Sequence, residues 1–124
     1  MAAKSVLVVE DNEKNMKLFR DVLQATGYRT LEASTGEDAV EIALTHAPAL
    51  VLMDVQLPGI DGVETLTRLR RDGRTASIPV LALTAQAMQG DRERFLETGF
   101  DGYLAKPVDV VELLRTVEEY CGRE

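Results

Sequence analysis

Apolar positions along this chain alternate between two spacings. Short runs fall at 5–9, 28–33, 50–53, 80–83 and 102–105, and between them apolar residues return every three or four positions. The first spacing suits strands packed inside a sheet, the second amphipathic helices. Start and stop signals frame the periodic stretches. Asp11-Asn12 and Thr35 stand at helix starts, and Gly27, Asp72-Gly73 and Gly99 at helix ends. Pro48 prevents continuation of a helix that ends near His46. The expected inward positions are Met16, Phe19, Val22 and Leu23 in the first helix and Ala39, Val40, Ala43 and Leu44 in the second. Val63, Leu66 and Leu69 serve a third helix over 62–71, and Met88, Phe95 and Leu96 a fourth over 88–98. Val110, Leu113, Leu114 and Val117 serve a fifth, starting near Asp109. Five strands alternating with five helices predict an α/β fold, a parallel sheet of order 2-1-3-4-5 with helices on both faces.

Right-handed crossovers point all strands the same way, so their C-terminal ends share one edge, where open α/β sheets bind ligands. The chemistry of this chain gathers there. Glu10 and Asp11 follow the first run, Asp54 the third, Thr84 the fourth and Lys106 the fifth. Three close carboxylates repel one another and call for protons or a cation. Hard oxygen ligands with room for water and phosphate suit Mg²⁺. Asp54, set between the acidic pair and the lysine, is the best candidate nucleophile, a carboxylate that accepts a phosphoryl group. Glu10 and Asp11 are better placed as metal ligands. Lys106 brings a flexible point charge that suits either Asp54 or a phosphate oxygen. Pro107 after it restricts its backbone and admits a cis bond. With the Thr84 hydroxyl, these groups would stabilise charge on a transferred phosphoryl group.

Composition narrows the surroundings. A length of 124 residues suits one domain over 1–124. With 21 acidic residues against 14 Lys and Arg, the net charge of −7 argues against a nucleic-acid or anionic-membrane partner. No apolar stretch nears the ~20 residues of a membrane span, and the run after Ser5 stops short of a signal-peptide core. The lone Cys121 has no partner for an internal disulfide, which suits a reducing, cytoplasmic setting. One histidine, His46, and one cysteine exclude a zinc set, and His46 lies away from the strand edge that a catalytic triad would need. Glycine-rich nucleotide loops are absent.

The ordered motifs Val8-Val9-Glu10-Asp11-Asn12, Leu52-Met53-Asp54-Val55-Gln56-Leu57-Pro58 with Asp61-Gly62, Leu83-Thr84-Ala85, and the segment from Gly99 to Lys106-Pro107 resemble those of response-regulator receiver domains of the CheY-like fold. The resemblance covers essentially the whole chain. Glu10-Asp11-Asn12…Asn15-Met16-Lys17-Leu18-Phe19 and Ala87-Met88-Gln89-Gly90-Asp91 are further similar to the DivK-like single-domain regulators, although receivers attached to hybrid histidine kinases share the Asp11-Asn12…Asn15 pattern. The resemblance implies that Asp54 takes a phosphoryl group from a phosphohistidine of a sensor histidine kinase or phosphotransfer protein. It implies Mg²⁺ on Asp11, Asp54 and the Gln56 backbone carbonyl, with Glu10 acting directly or through water, in a place where many members carry Asp. Thr84 and Lys106 match phosphate-binding positions. Tyr103 matches an aromatic that moves inward as Thr84 turns to the phosphate. Small Ala85 leaves room for access, and Gln56 and Gln86 occupy positions that tune phosphate lifetime. The implied output is a population shift read by a downstream protein on the fourth helix, fifth strand and fifth helix. The chain ends after the fifth helix, so output is expected through protein contact or onward phosphotransfer. It would catalyse its own modification and not be a turnover enzyme.

Rival readings are a receiver cut from a hybrid kinase, a haloacid-dehalogenase-type phosphatase, a flavodoxin-like FMN binder and a degenerate receiver. The phosphatase needs a second Asp two residues after the nucleophile, where this chain has Gln56. The flavin fold needs a Ser/Thr-rich loop after the first strand, where Glu10-Asp11 would repel phosphate. A degenerate receiver would lack part of the residue set present here.

Overall fold

The structure is a computed structural model that describes residues 4–57, 59–85 and 91–121, without the side chains of residues 91, 92 and 95. Five parallel strands, β1 (Ser5–Val9), β2 (Arg29–Ala33), β3 (Leu50–Asp54), β4 (Val80–Thr84) and β5 (Gly102–Ala105), form one sheet of order β2-β1-β3-β4-β5. Helices α1 (Glu13–Ala25), α2 (Gly36–His46), α3 (Gly62–Arg71), α4 (Asp91–Thr98) and α5 (Val110–Cys121) alternate with them. The expected fold class and strand order are those observed.

Why the runs are strands is visible in their burial. Every residue of β3 and β4 is buried, as a sheet covered on both faces requires. Alternate side chains feed two cores. Val8, Leu52, Leu81 and Leu104 join Phe19 and Leu23 of α1 and Leu113 and Val117 of α5 on one face. Leu7, Val51, Met53 and Ala82 join Ala39 and Ala43 of α2 and Leu66 and Leu69 of α3 on the other. Each fully buried leucine or phenylalanine contributes about 1.5–3 kcal/mol.

The helix caps follow the sequence signals. Asn12 caps α1 by accepting from the N–H groups of Lys14 and Asn15 at 2.9 and 3.1 Å. Thr35 caps α2 through the Asp38 N–H. Gly27 and Gly99 take positive φ after α1 and α4, the left-handed conformation that favours glycine.

Three expected inward positions are corrected. Val63 is 41% exposed, because the buried stripe of α3 runs Gly62, Thr65, Leu66, Leu69 and leaves Val63 around the side of the helix. Val110 is 40% exposed for the same reason, since α5 buries Leu113, Val117 and Cys121. Leu96 on α4 is also exposed. Met88 and the side chain of Phe95 lie outside the described residues, as do Pro58, Gln86 and residues 87–90.

Candidate phosphoryl and metal site

The C-terminal ends of β1, β3, β4 and β5 meet over one cavity of about 830 Å³. The sheet register explains the meeting. Val9 pairs with Met53, Asp54 with Leu83, and Thr84 with Ala105, so the residue that follows or ends each strand reaches the same edge. Glu10, Asp11, Asp54, Gln56, Thr84 and Lys106 all line the cavity. Tyr103 does not; it is half-buried on β5 and lines a separate groove with Leu96, Glu112 and Tyr120.

Asp54 is 6% exposed and both its oxygens are held. Oδ1 accepts from the Gln56 backbone N–H at 2.9 Å, and Oδ2 accepts from Lys106 Nζ at 2.9 Å. Gly62 lets α3 begin directly against this turn. A Cβ there would stand 2.6 Å from the Asp54 carbonyl oxygen and 2.8 Å from Val55 Cα. Its N–H donates to the Val55 carbonyl at 3.2 Å. Lys106 follows β5, its own N–H donating to the Thr84 carbonyl at 2.8 Å, and its bond to Pro107 is cis.

Glu10 is the buried member of the acidic pair, at 2% exposure, whereas Asp11 is exposed. Glu10 Oε2 accepts from the Asn12 N–H at 3.2 Å. Oε1 lies 2.8 Å from Lys106 Nζ as an ion pair, but without the alignment of a hydrogen bond, and stays unsatisfied in that sense. Burial raises the affinity of Glu10 for a proton; Lys106 opposes this, and the Asp54 charge reinforces it, with a raised pKa as the outcome. Burial works against the Lys106 charge, yet its contacts with Glu10 and Asp54 outweigh that and hold the ammonium above its ordinary range.

Glu10, Asp11 and Asp54 each offer one oxygen within 4.8 Å of the others. An all-oxygen set, one member carrying a buried oxygen without an aligned donor, fits a hard divalent cation such as Mg²⁺. Polar and charged residues that sequence reasoning did not place in the cavity are Asn12, Asn15, Asp61 and Arg94. Asp61 caps α3 by accepting from the Glu64 N–H, a signal readable from its position before the helix. Arg94 arrives from α4, and no local pattern announces it.

Comparison with known proteins agrees with this geometry. Residues 6–118 match the response regulator receiver domain family. The polar-differentiation response regulator DivK of Brucella anthropi is 46% identical over 119 residues, covering 96% of this chain and 97% of that one. A response regulator structure from Chloroflexus aurantiacus superposes with TM-score 0.90 at 33% identity, covering 98% of this chain and 99% of that one. The receiver domain of sensor histidine kinase PA1611 from Pseudomonas aeruginosa, which has a magnesium ion coordinated in its active site cleft, gives TM-score 0.89 at 37% identity over 98% of this chain and 100% of that one. The Saccharomyces cerevisiae receiver domain of Ssk1, seen in complex with the phosphotransfer protein Ypd1, gives 0.86 at 29% identity, covering 96% and 89%. A parallel sheet that ends in this cluster of acids, and a family match that spans nearly all of it, make this chain a member of the response regulator receiver domains.

Proposed function

We propose that this chain works as one DivK-like receiver unit that takes a phosphoryl group on Asp54 from the phosphohistidine of a sensor histidine kinase or phosphotransfer protein. The observation that carries the reading is the hold on Asp54, with one oxygen fixed by the Gln56 N–H and the other by Lys106. Such fixing positions the carboxylate for in-line attack. In the transfer a carboxylate oxygen forms a P–O bond while the donor P–N bond breaks. The electron pair returns to the imidazole nitrogen, and Asp54 becomes an acyl phosphate.

Glu10, Asp11, Asp54 and the Gln56 backbone carbonyl are the groups that would hold Mg²⁺. When bound, it supplies Lewis-acid charge that offsets the carboxylates and the phosphoryl oxygens. Lys106 can follow the new negative charge, since its ammonium already bridges Asp54 and Glu10. Thr84, buried at the end of β4, brings its hydroxyl to the same cavity. Its turn toward a phosphoryl oxygen would let half-buried Tyr103 move inward and alter the α4–β5–α5 face that a downstream protein reads. The chain modifies itself and turns over no external substrate. A cytoplasmic setting belongs to this reading and suits the single cysteine.

Incubation with acetyl phosphate and Mg²⁺, followed by intact-mass measurement, tests the acceptor. Wild type should gain the mass of one phosphoryl group and Asp54→Asn should not. A wild type that stays unmodified with every divalent metal supplied defeats the reading. For the readout, equal partner affinity with and without beryllofluoride would count against the switching face.

A further inference from the structure

The lining of the Asp54 cavity carries four carboxylates, Glu10, Asp11, Asp54 and Asp61, and two cations, Lys106 and Arg94. Lys106 is engaged by Asp54 and Glu10 at 2.9 and 2.8 Å. Arg94 is an exposed residue of α4, a helix that contributes no other residue to this lining among the described ones. With all four acids ionised, the lining sums to −2, and a bound divalent cation brings it to zero. Phosphodonors are themselves anions. Without Arg94 the metal-loaded cavity would be negative and would repel the group that it must admit.

We infer that Arg94 is a recognition residue for the phosphoryl group, attracting the anionic donor at the cavity and then pairing with phosphoryl oxygens on Asp54. The inference rests on the reading of Asp54 as the acceptor. A guanidinium is always charged and offers a fork of donors that matches two phosphate oxygens. Arg94 makes and breaks no covalent bond. Because it belongs to α4 while Asp54 ends β3, the pairing ties the position of α4 to the charge on Asp54.

The test measures phosphorylation by acetyl phosphate at saturating Mg²⁺ for wild type, Arg94→Gln and Arg94→Lys at low and high ionic strength, with Mg²⁺ affinity read by calorimetry. Arg94→Gln should be modified about three- to tenfold more slowly at low salt, with the gap narrowing as salt screens the charge. Arg94→Lys should keep most of the rate. Arg94→Gln should bind Mg²⁺ at least as tightly as wild type, since a positive neighbour has been removed. That opposite sign separates lost donor recognition from a damaged site. Equal rates for wild type and Arg94→Gln at low salt overturn this inference alone. So does joint loss of rate and Mg²⁺ affinity, or an Arg94→Lys as slow as Arg94→Gln. A wild type that takes no phosphoryl group overturns the acceptor reading and this inference with it.

Discussion

Lys106 Nζ stands 2.9 Å from Asp54 Oδ2 and 2.8 Å from Glu10 Oε1, so one ammonium from the end of β5 bridges acids that follow or end two other strands. In this arrangement the lysine occupies the role of a cation among the carboxylates. It therefore opposes a second cation.

Replacing Lys106 by Met should strengthen Mg²⁺ binding. Repulsion between a single charge and a dication ~4 Å apart in a water-like dielectric is about 2 kcal/mol, twice the value for two unit charges. That corresponds to roughly thirtyfold in affinity. Calorimetric titration of both proteins checks it, and unchanged or weaker binding would mean that the lysine and the metal do not share these carboxylates.

Gly62 should tolerate no side chain. Its absent Cβ would press on the Asp54 carbonyl and on Val55 Cα, both backbone atoms that cannot swing away. Gly62→Ala is expected to lose about 1–3 kcal/mol in urea unfolding, as overpacked sites do. The loss should come with slower phosphorylation, because the turn that would be displaced carries Asp54 and Gln56. A variant as stable as wild type would show that α3 can retreat without cost.

Arg70 at the end of α3 acts as a clamp. Its guanidinium donates to the carbonyls of Ala76 and Ile78 at 3.0 and 2.7 Å, and to the Gly99 carbonyl and Asp101 Oδ2 at 3.1 and 2.8 Å. Asp101 Oδ2 also accepts from the Val80 N–H at 2.8 Å, so the clamp reaches the first residue of β4. Arg70→Met should cost about 1–3 kcal/mol, since two part-buried carbonyls and two exposed acceptors lose their donor together. Hydrogen exchange at the Val80 amide should speed up in the variant; unchanged exchange would show that Asp101 holds its place without Arg70.

The strands were legible because parallel strands buried on both faces read as unbroken apolar runs, as Leu50-Val51-Leu52-Met53 does. The strand-end residues were legible because crossovers of one hand gather them, and Glu10, Asp54, Thr84 and Lys106 do line one cavity. Val63 and Val110 were misread because a valine near the start of a helix fits the apolar stripe by type, while the inward place in α3 goes to Thr65. That threonine is acceptable inside because its hydroxyl donates to the Asp61 carbonyl at 2.8 Å. Arg70 and Arg94 carried no local signal. The Gly99 and Asp101 partners of Arg70, and the Glu10 and Asp54 that share the cavity with Arg94, are far along the chain, and only the folded arrangement brings them together.

Acid should erase one stabilising pair away from the site. Arg20 Nε donates to Glu32 Oε2 at 2.5 Å and its NH2 group to Oε1 at 2.8 Å, a two-point contact between α1 and β2. The Arg20 hydrogen bonds lower the Glu32 pKa below its ordinary 4.5, against the opposing effect of burial. A carboxylate depressed in the folded state stabilises fully above its unfolded pKa and loses that contribution as pH falls through the folded value. Both side chains are about one-third exposed, so solvent screening keeps the contribution small. Arg20→Met should thus be slightly less stable than wild type in urea at pH 7, and the gap should close as pH drops below 4.5. A gap that persists undiminished in acid would assign it to lost packing of the Arg20 stem and not to the charge pair.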